Sequence, residues 1–251
     1  YTPFGKERAK NTTVGDLKEF WHVGPELAPS HPVFQRIPPN IWPVELPEFK
    51  SETMALWASL HGCATEILAG IAEYLGAPVN TFTEMIQGGN TVLRLIKYPV
   101  VDENPDGALW AAEHEDINLI TLLVAATDPG LELRTRDGRW QPINPVPGQL
   151  IVDTGDMMQR LTNGRLPATT HRVRAPRSVK TPRFSMPFFV HPHPDVSLAP
   201  LSACLRENEK PRWPVETAES YLENRLRDNG VLTMDADVDW LAGRTLDDDV
   251  D

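Results

Sequence analysis

WAAEHEDINLITLL, residues 110–123, sets His114 and Asp116 two positions apart at the head of an apolar run. If a strand begins there, period-two alternation turns both side chains to one face and Glu115 to the other. Working outward, short β-rich runs follow one another: TVLRLIKY (91–98), NLITLLVA (118–125), LELRT (131–135), QLIVDT (149–154), THRVRA (170–175) and RFSMPFFV (183–190). Turn signals at Asp128-Pro129-Gly130, Asp137-Gly138 and Pro147-Gly148 fall between them, which is the pattern of an antiparallel sandwich or barrel.

Two helices flank these runs. Between Pro47 and Leu75, Met54, Trp57, Leu60, Ala64, Ile67, Leu68, Ile71 and Leu75 form a 3.6-residue stripe closed by Gly76 and Pro78. A shorter helix is expected over 217–229, ending at Gly230. Residues 1–46 read as irregular, Pro-punctuated coil, yet Phe20, Trp21, Phe34, Ile41 and Trp42 require it to pack on the domain. The 24 prolines are close to double the usual share of about 5% and favour loops and sheet edges over a bundle.

The chain of 251 residues is long enough for one large β domain, so a single domain over 1–251 is expected: coil and backing helix over 1–90, barrel over 91–193, helix and acidic tail over 194–251. A net charge of −11 argues against nucleic acid as a partner. Six of those charges belong to the segment from Met234 to Asp251, with its seven Asp and one Arg, so the body is only mildly acidic. Cys63 and Cys204 read as free thiols, which suits a cytoplasmic, reducing setting. No apolar run approaches the roughly 18 to 20 residues that span a bilayer, so no membrane partner is expected. A chain opening on Tyr1 without Met suggests numbering that starts inside a longer protein.

His114 and Asp116 alone are weak grounds for a metal site. His171 in ATTHRVRAP, on another expected strand, supplies a third donor, though in isolation it reads as a core histidine. Two His and one carboxylate with open positions form the facial triad that suits Fe(II) in oxygenases, whereas a closed zinc site wants a fourth ligand. Arg183 and Ser185 in TPRFSMPFF again share one strand face. A guanidinium inside a barrel is costly unless it meets an anion, and its fork matches a carboxylate, so the pair would grip the far end of a dicarboxylic co-substrate. A surface ion pair is the plainer alternative.

From about Asn90 to His193 the chain resembles the isopenicillin N synthase-like, plant-type Fe(II)/2-oxoglutarate dioxygenases, through LRLIKYP, His114-x-Asp116, GDMMQRLTNGRLPATTHRV and Arg183-x-Ser185 in the family's order. The segment YTPFGKERAKNTTVGDLKEFWHVG is also similar to the family. The resemblance implies a mainly β fold with flanking helices, a double-stranded β-helix (a jelly-roll, cupin-like barrel) backed by the long helix. It implies His114, Asp116 and His171 as iron ligands, Arg183 and Ser185 as the 2-oxoglutarate clamp, and Tyr98 beside that co-substrate. Ile96 stands where many relatives carry Asn two residues before the tyrosine. The family also has an N-terminal segment ahead of the region matching Tyr1.

The expected activity is hydroxylation, or else desaturation or ring closure, of a small molecule with O₂, releasing succinate and CO₂. No residue beyond the metal ligands is assigned a chemical step. Two alternatives stay open: an isopenicillin N synthase-type oxidase in which Arg183 and Ser185 hold a substrate carboxylate, and a non-catalytic barrel. A monomer is the default expectation. Trp110 and Phe189 are the candidate substrate-pocket residues. His191-Pro-His193 reads as an exposed turn, and Asp156 and Asn163 as residues shaping the loop that positions His171.

Overall fold

The computed structural model describes residues 1–6, 16–100, 109–124, 126–144, 146–175 and 180–228. The acidic tail from Met234 and residues 101–108 lie outside these. In chain order the elements are β1 (Glu19–Val23), α1 (Glu48–Leu75), α2 (Thr81–Met85), β2 (Val92–Tyr98), β3 (Leu109–His114), β4 (Ile120–Val124), β5 (Leu131–Arg134), β6 (Trp140–Pro142), β7 (Leu150–Thr154), α3 (Asp156–Leu161), β8 (His171–Arg174), β9 (Arg183–Val190) and α4 (Ala218–Asp228).

The strands form two antiparallel sheets, one in the order β1-β2-β9-β4-β7 and one in the order β3-β8-β5-β6. Apart from the β5–β6 hairpin, neighbours in the sheets are not consecutive along the described strands or, for β1 and β2, are separated by α1 and α2, as the expected jelly roll requires. Register explains how the larger sheet serves two cores. Val23, Leu93, Phe188 and Leu122 line up across β1, β2, β9 and β4 and face Leu60, Ala64 and Leu68 of α1. The alternate positions point between the sheets. There Phe20, Ile96 and Tyr98 meet Trp110, Ala111 and Val173 of the smaller sheet in a second cluster.

α1 ends as its sequence requires: Gly76 takes the left-handed conformation (φ 75°) and its N–H reaches Glu73 O. By length and mean hydropathy α1 suffices to cross a bilayer, so the expectation that no segment is long and apolar enough does not hold for it. The Leu60–Ala64–Leu68–Ala72 face of α1 packs on the larger sheet.

β1 corrects the reading of 1–46 as coil. EFWHV alternates poorly, because Trp21 and Val23 face one core while Phe20 faces the other. α4 starts one residue later than expected and is tied to α3: Tyr221 donates to Asp156 Oδ2 at 2.8 Å, Arg225 lies 3.4 Å from the same oxygen, and Arg160 of α3 donates to Glu216 at 2.8 Å.

Candidate active site

His114 is the last residue of β3 and His171 the first of β8, and the ladder sets them directly opposite each other. Their rings stand 4.4 Å apart, centroid to centroid. Asp116 is not on a strand. It sits in the turn between β3 and β4, so the alternation argument that paired it with His114 fails even though the two side chains converge.

Backbone bonds to α3 hold that turn. Asp156 N–H donates to Asp116 O at 2.8 Å and Met157 N–H to Asn118 O at 3.1 Å. Gly155 makes the close approach possible, because a Cβ there would lie 2.4 Å from Asn118 O and 2.8 Å from Asp116 O. Asp156 therefore supports Asp116, not the His171 loop. Asn163 instead ties down 209–212 through Glu209, Lys210 O and Arg212 N.

The donor atoms of His114, Asp116 and His171 all lie within 4.8 Å of one another. Each imidazole donates its Nδ1–H to a carbonyl two residues back, His114 to Ala112 O at 2.7 Å and His171 to Thr169 O at 3.1 Å. Nε2 is thereby left as the lone-pair donor on both rings. Both Nε2 atoms face Asp116 Oδ1, at 3.8 and 3.9 Å, while Oδ2 accepts from Thr121 Oγ1 at 2.5 Å. Asn118 in turn donates to that Oγ1 at 2.8 Å.

Electrostatics keep the set ready for a cation. Burial, with His171 next to it, lowers His114 to about 4, so the ring is neutral. Burial pushes the Asp116 carboxyl up, but His171, His114 and the Thr121 hydroxyl outweigh it and leave the group below its ordinary range. Burial pulls His171 down, and Asp116 and Asp153 more than offset it. Once a metal displaces the proton that Asp116 and Asp153 favour on His171, two imidazole nitrogens and one carboxylate converge as a donor set for a divalent iron.

At the other end of the same interior, Tyr98 and Arg183 are register partners on β2 and β9. Arg183 and Ser185 are both buried while Phe184 between them is 46% exposed, as strand alternation predicts. The guanidinium lies 4.9 Å over the Tyr98 ring, and its Nε–H donates to Asp128 O at 3.0 Å. Its buried Nη1 has no hydrogen-bond partner among the described residues. A buried donor on a cation is expensive to leave unmade, so the site fits an anion. Ser185 faces Ile96 across the ladder, so the Ile96 side chain offers no polar partner there.

Trp110 lies on β3, wholly buried, with its ring 5.3 Å from Tyr98. Phe189 lies on the interior face of β9, opposite Thr121. His191 is not in an exposed turn: its Nδ1 is buried without a partner, and burial lowers the ring to about 4.

Sequence reading missed Asp153, the partner of Thr121 across β4 and β7. Its Oδ1 is buried and unpartnered, and burial, with Asp116 nearby, raises the carboxyl to about 7. The signal available was an acid at an inward-facing position of an apolar strand. Between about pH 4 and pH 7 folded Asp153 holds a proton that the unfolded chain has lost. Stability of the metal-free protein therefore falls as pH rises through that window, on the order of 2–4 kcal/mol for this group. Asp153→Asn should remove the loss. In denaturant titrations the variant gains on the parent chain from pH 5 to pH 8, and an equal difference at both pH values would refute it.

A profile of the 2OG-Fe(II) oxygenase superfamily matches residues 89–192. A proline hydroxylase of Petromyces alliaceus is 33% identical over 230 residues, 87% of this chain and 70% of that protein. A crystal structure of a 2OG-Fe(II) oxygenase family protein from Caulobacter crescentus is 43% identical, with TM-score 0.80 over 90% of this chain and 74% of the other. A full-length Neurospora crassa protein, solved in complex with alpha-KG, is 28% identical, with TM-score 0.76 over 86% and 67% of the two chains. The chain spans 62–70% of the length of the first four curated relatives it matches.

Proposed function

This chain belongs to the 2OG-Fe(II) oxygenase superfamily, and from that premise we propose that it oxidises a small organic molecule, by default through hydroxylation, with 2-oxoglutarate and O₂ as co-substrates. The observation that carries the reading is the convergence of His114, Asp116 and His171, each held for donation by bonds of its own. These three residues would hold the iron. Iron bound there supplies the O₂ chemistry that no side chain can, 2-oxoglutarate giving two electrons and leaving as succinate and CO₂.

The rest is the work of this chain. Arg183 binds the distal carboxylate of 2-oxoglutarate through its unpartnered Nη1, with Ser185 offering a hydroxyl beside it and the Tyr98 face fixing the guanidinium plane. Carbonyls at Ala112 and Thr169 keep both imidazoles turned inward, and Thr121 orients Asp116 so that Oδ1 faces the rings. Burial of Arg183, Ser185 and Tyr98 keeps water from competing for the anion. On the same reading the protein is a cytoplasmic monomer acting on a small molecule, not on nucleic acid or a membrane. Free Cys63 and Cys204 support the compartment.

Titrating the anaerobic Fe(II) protein with 2-oxoglutarate should develop the weak visible charge-transfer band of the chelate, and aerobic turnover should release succinate. No band, together with oxygen consumption indifferent to 2-oxoglutarate, would overturn the reading.

A further inference from the structure

Trp110 has the largest wholly buried side chain among the described residues, and its indole Nε1 has no hydrogen-bond partner among them. Buried tryptophans ordinarily place that N–H on an acceptor, because stripping it of water without a bond is costly. Arg183 presents the same anomaly at Nη1. The two residues are neighbours through shared contacts.

Tyr98 makes the first link, its ring centroid lying 5.3 Å from that of Trp110 and 4.9 Å from Arg183 Cζ. The connection between β4 and β5 makes the second. Asp128 O accepts from Arg183 Nε at 3.0 Å, and two residues further on a Cβ at Gly130 would stand 3.8 Å from Trp110 Cζ3. With φ at 140° and that same Cβ position 2.8 Å from Arg174 O, Gly130 admits no side chain, so the backbone closes on the indole. Cζ3 belongs to the benzo ring, across the indole from Nε1, so the N–H edge faces away from Gly130. Trp110 comes from β3 of the smaller sheet and Arg183 from β9 of the larger, so two unsatisfied donors reach one end of the interior from opposite walls. One carboxylate has lone pairs enough for both.

Resting on the reading of the preceding subsection, we propose that Trp110 is a further arm of the co-substrate clamp, its indole Nε1–H donating to the distal carboxylate of 2-oxoglutarate that Arg183 binds from the opposite sheet. This moves Trp110 from the wall of the substrate pocket, where the sequence suggests it, to the co-substrate end of the interior. The added donor makes the site favour a 2-oxo acid that ends in a carboxylate over one that ends in a methyl group, because only the former gives the buried N–H an acceptor.

The test follows the indole N–H resonances of the Zn(II)-loaded protein by nuclear magnetic resonance with isotope-labelled tryptophan. The chain has 7 tryptophans, and the Trp110 signal is the one missing from Trp110→Phe, or from Trp110→Tyr should the first variant not fold. Saturating 2-oxoglutarate should move that signal downfield, as a new bond to a carboxylate does, and slow its exchange with solvent. 2-Oxovalerate, which keeps both chelating oxygens but ends in a methyl group, should not. In anaerobic band titrations of the Fe(II) protein, Trp110→Phe should raise the dissociation constant for 2-oxoglutarate about 10- to 100-fold and that for 2-oxovalerate by less than about threefold. The Trp110 signal decides even where 2-oxovalerate binds too weakly to titrate.

A Trp110 signal unmoved by saturating 2-oxoglutarate, an unchanged dissociation constant in Trp110→Phe, or equal weakening of both 2-oxo acids would each overturn the assignment. Failure of the parent protein to bind 2-oxoglutarate at all, with no band and no indole signal displaced, would instead overturn the 2-oxoglutarate reading beneath it.

Discussion

Asp116→Ala protein is expected to retain no iron(II) after gel filtration and to form succinate at least about a thousandfold more slowly than the parent chain. Asp116 is the one carboxylate in the set, and its Oδ1 is the atom both Nε2 donors face. Substitutions that merely disturb the partners of metal ligands typically cost 10- to 100-fold, so loss of the anionic ligand itself should exceed that range. His114→Ala should behave alike. Asp116→Asn separates charge from shape: it keeps an oxygen near the rings but removes the negative charge, and iron should still be lost. The checks are metal content by elemental analysis and succinate by mass spectrometry. Turnover in Asp116→Ala with no bound iron would show that the chemistry does not depend on this site.

Arg183→Met should weaken 2-oxoglutarate binding about a hundredfold or more, and the metal-free variant should be at least as stable as the parent. The two effects have one cause. In the ligand-free protein the guanidinium is buried with Nη1 unpartnered, and burial pulls its pKa down, so it contributes a desolvation cost that no carboxylate offsets. Methionine fills similar volume without that cost. The lost bond to Asp128 O and the contact with the Tyr98 ring reduce the gain, leaving a change between about 0 and +2 kcal/mol. Anaerobic band titration measures the first effect and denaturant unfolding the second. A fall in stability of several kcal/mol would mean that Arg183 belongs to a structural network and not to a ligand clamp.

Much of this arrangement was legible where local pattern and tertiary role agree. Arg183 and Ser185 point inward with Phe184 outward because β9 is a regular eight-residue strand. α1 shows its stripe because 28 residues give the helical period room to repeat. Legibility failed where tertiary contacts impose the geometry. His114 and Asp116 converge through a turn pinned to α3, and α3 is six residues long with both sides covered, too short for any period to register. β1 hid because both of its faces meet a core. Asp153 gave no motif at all, and His191 reads from its sequence as part of an exposed turn. Each is a polar residue at or beyond an inward position of a strand, and only the closed barrel shows which inward positions border the triad.

The pairing of β3 with β8 and of β2 with β9 divides labour in a way that bears on how such a protein can change. The histidines arise from the smaller sheet and Asp116 from a turn anchored on α3, whereas Arg94, Tyr98, Arg183, Ser185 and Phe189 all arise from one strand pair of the larger sheet. The histidines that would hold the iron and the arginine and serine that would hold its co-substrate therefore stand on different strand pairs, so a change along β2 and β9 alters that part of the anion clamp without displacing either histidine.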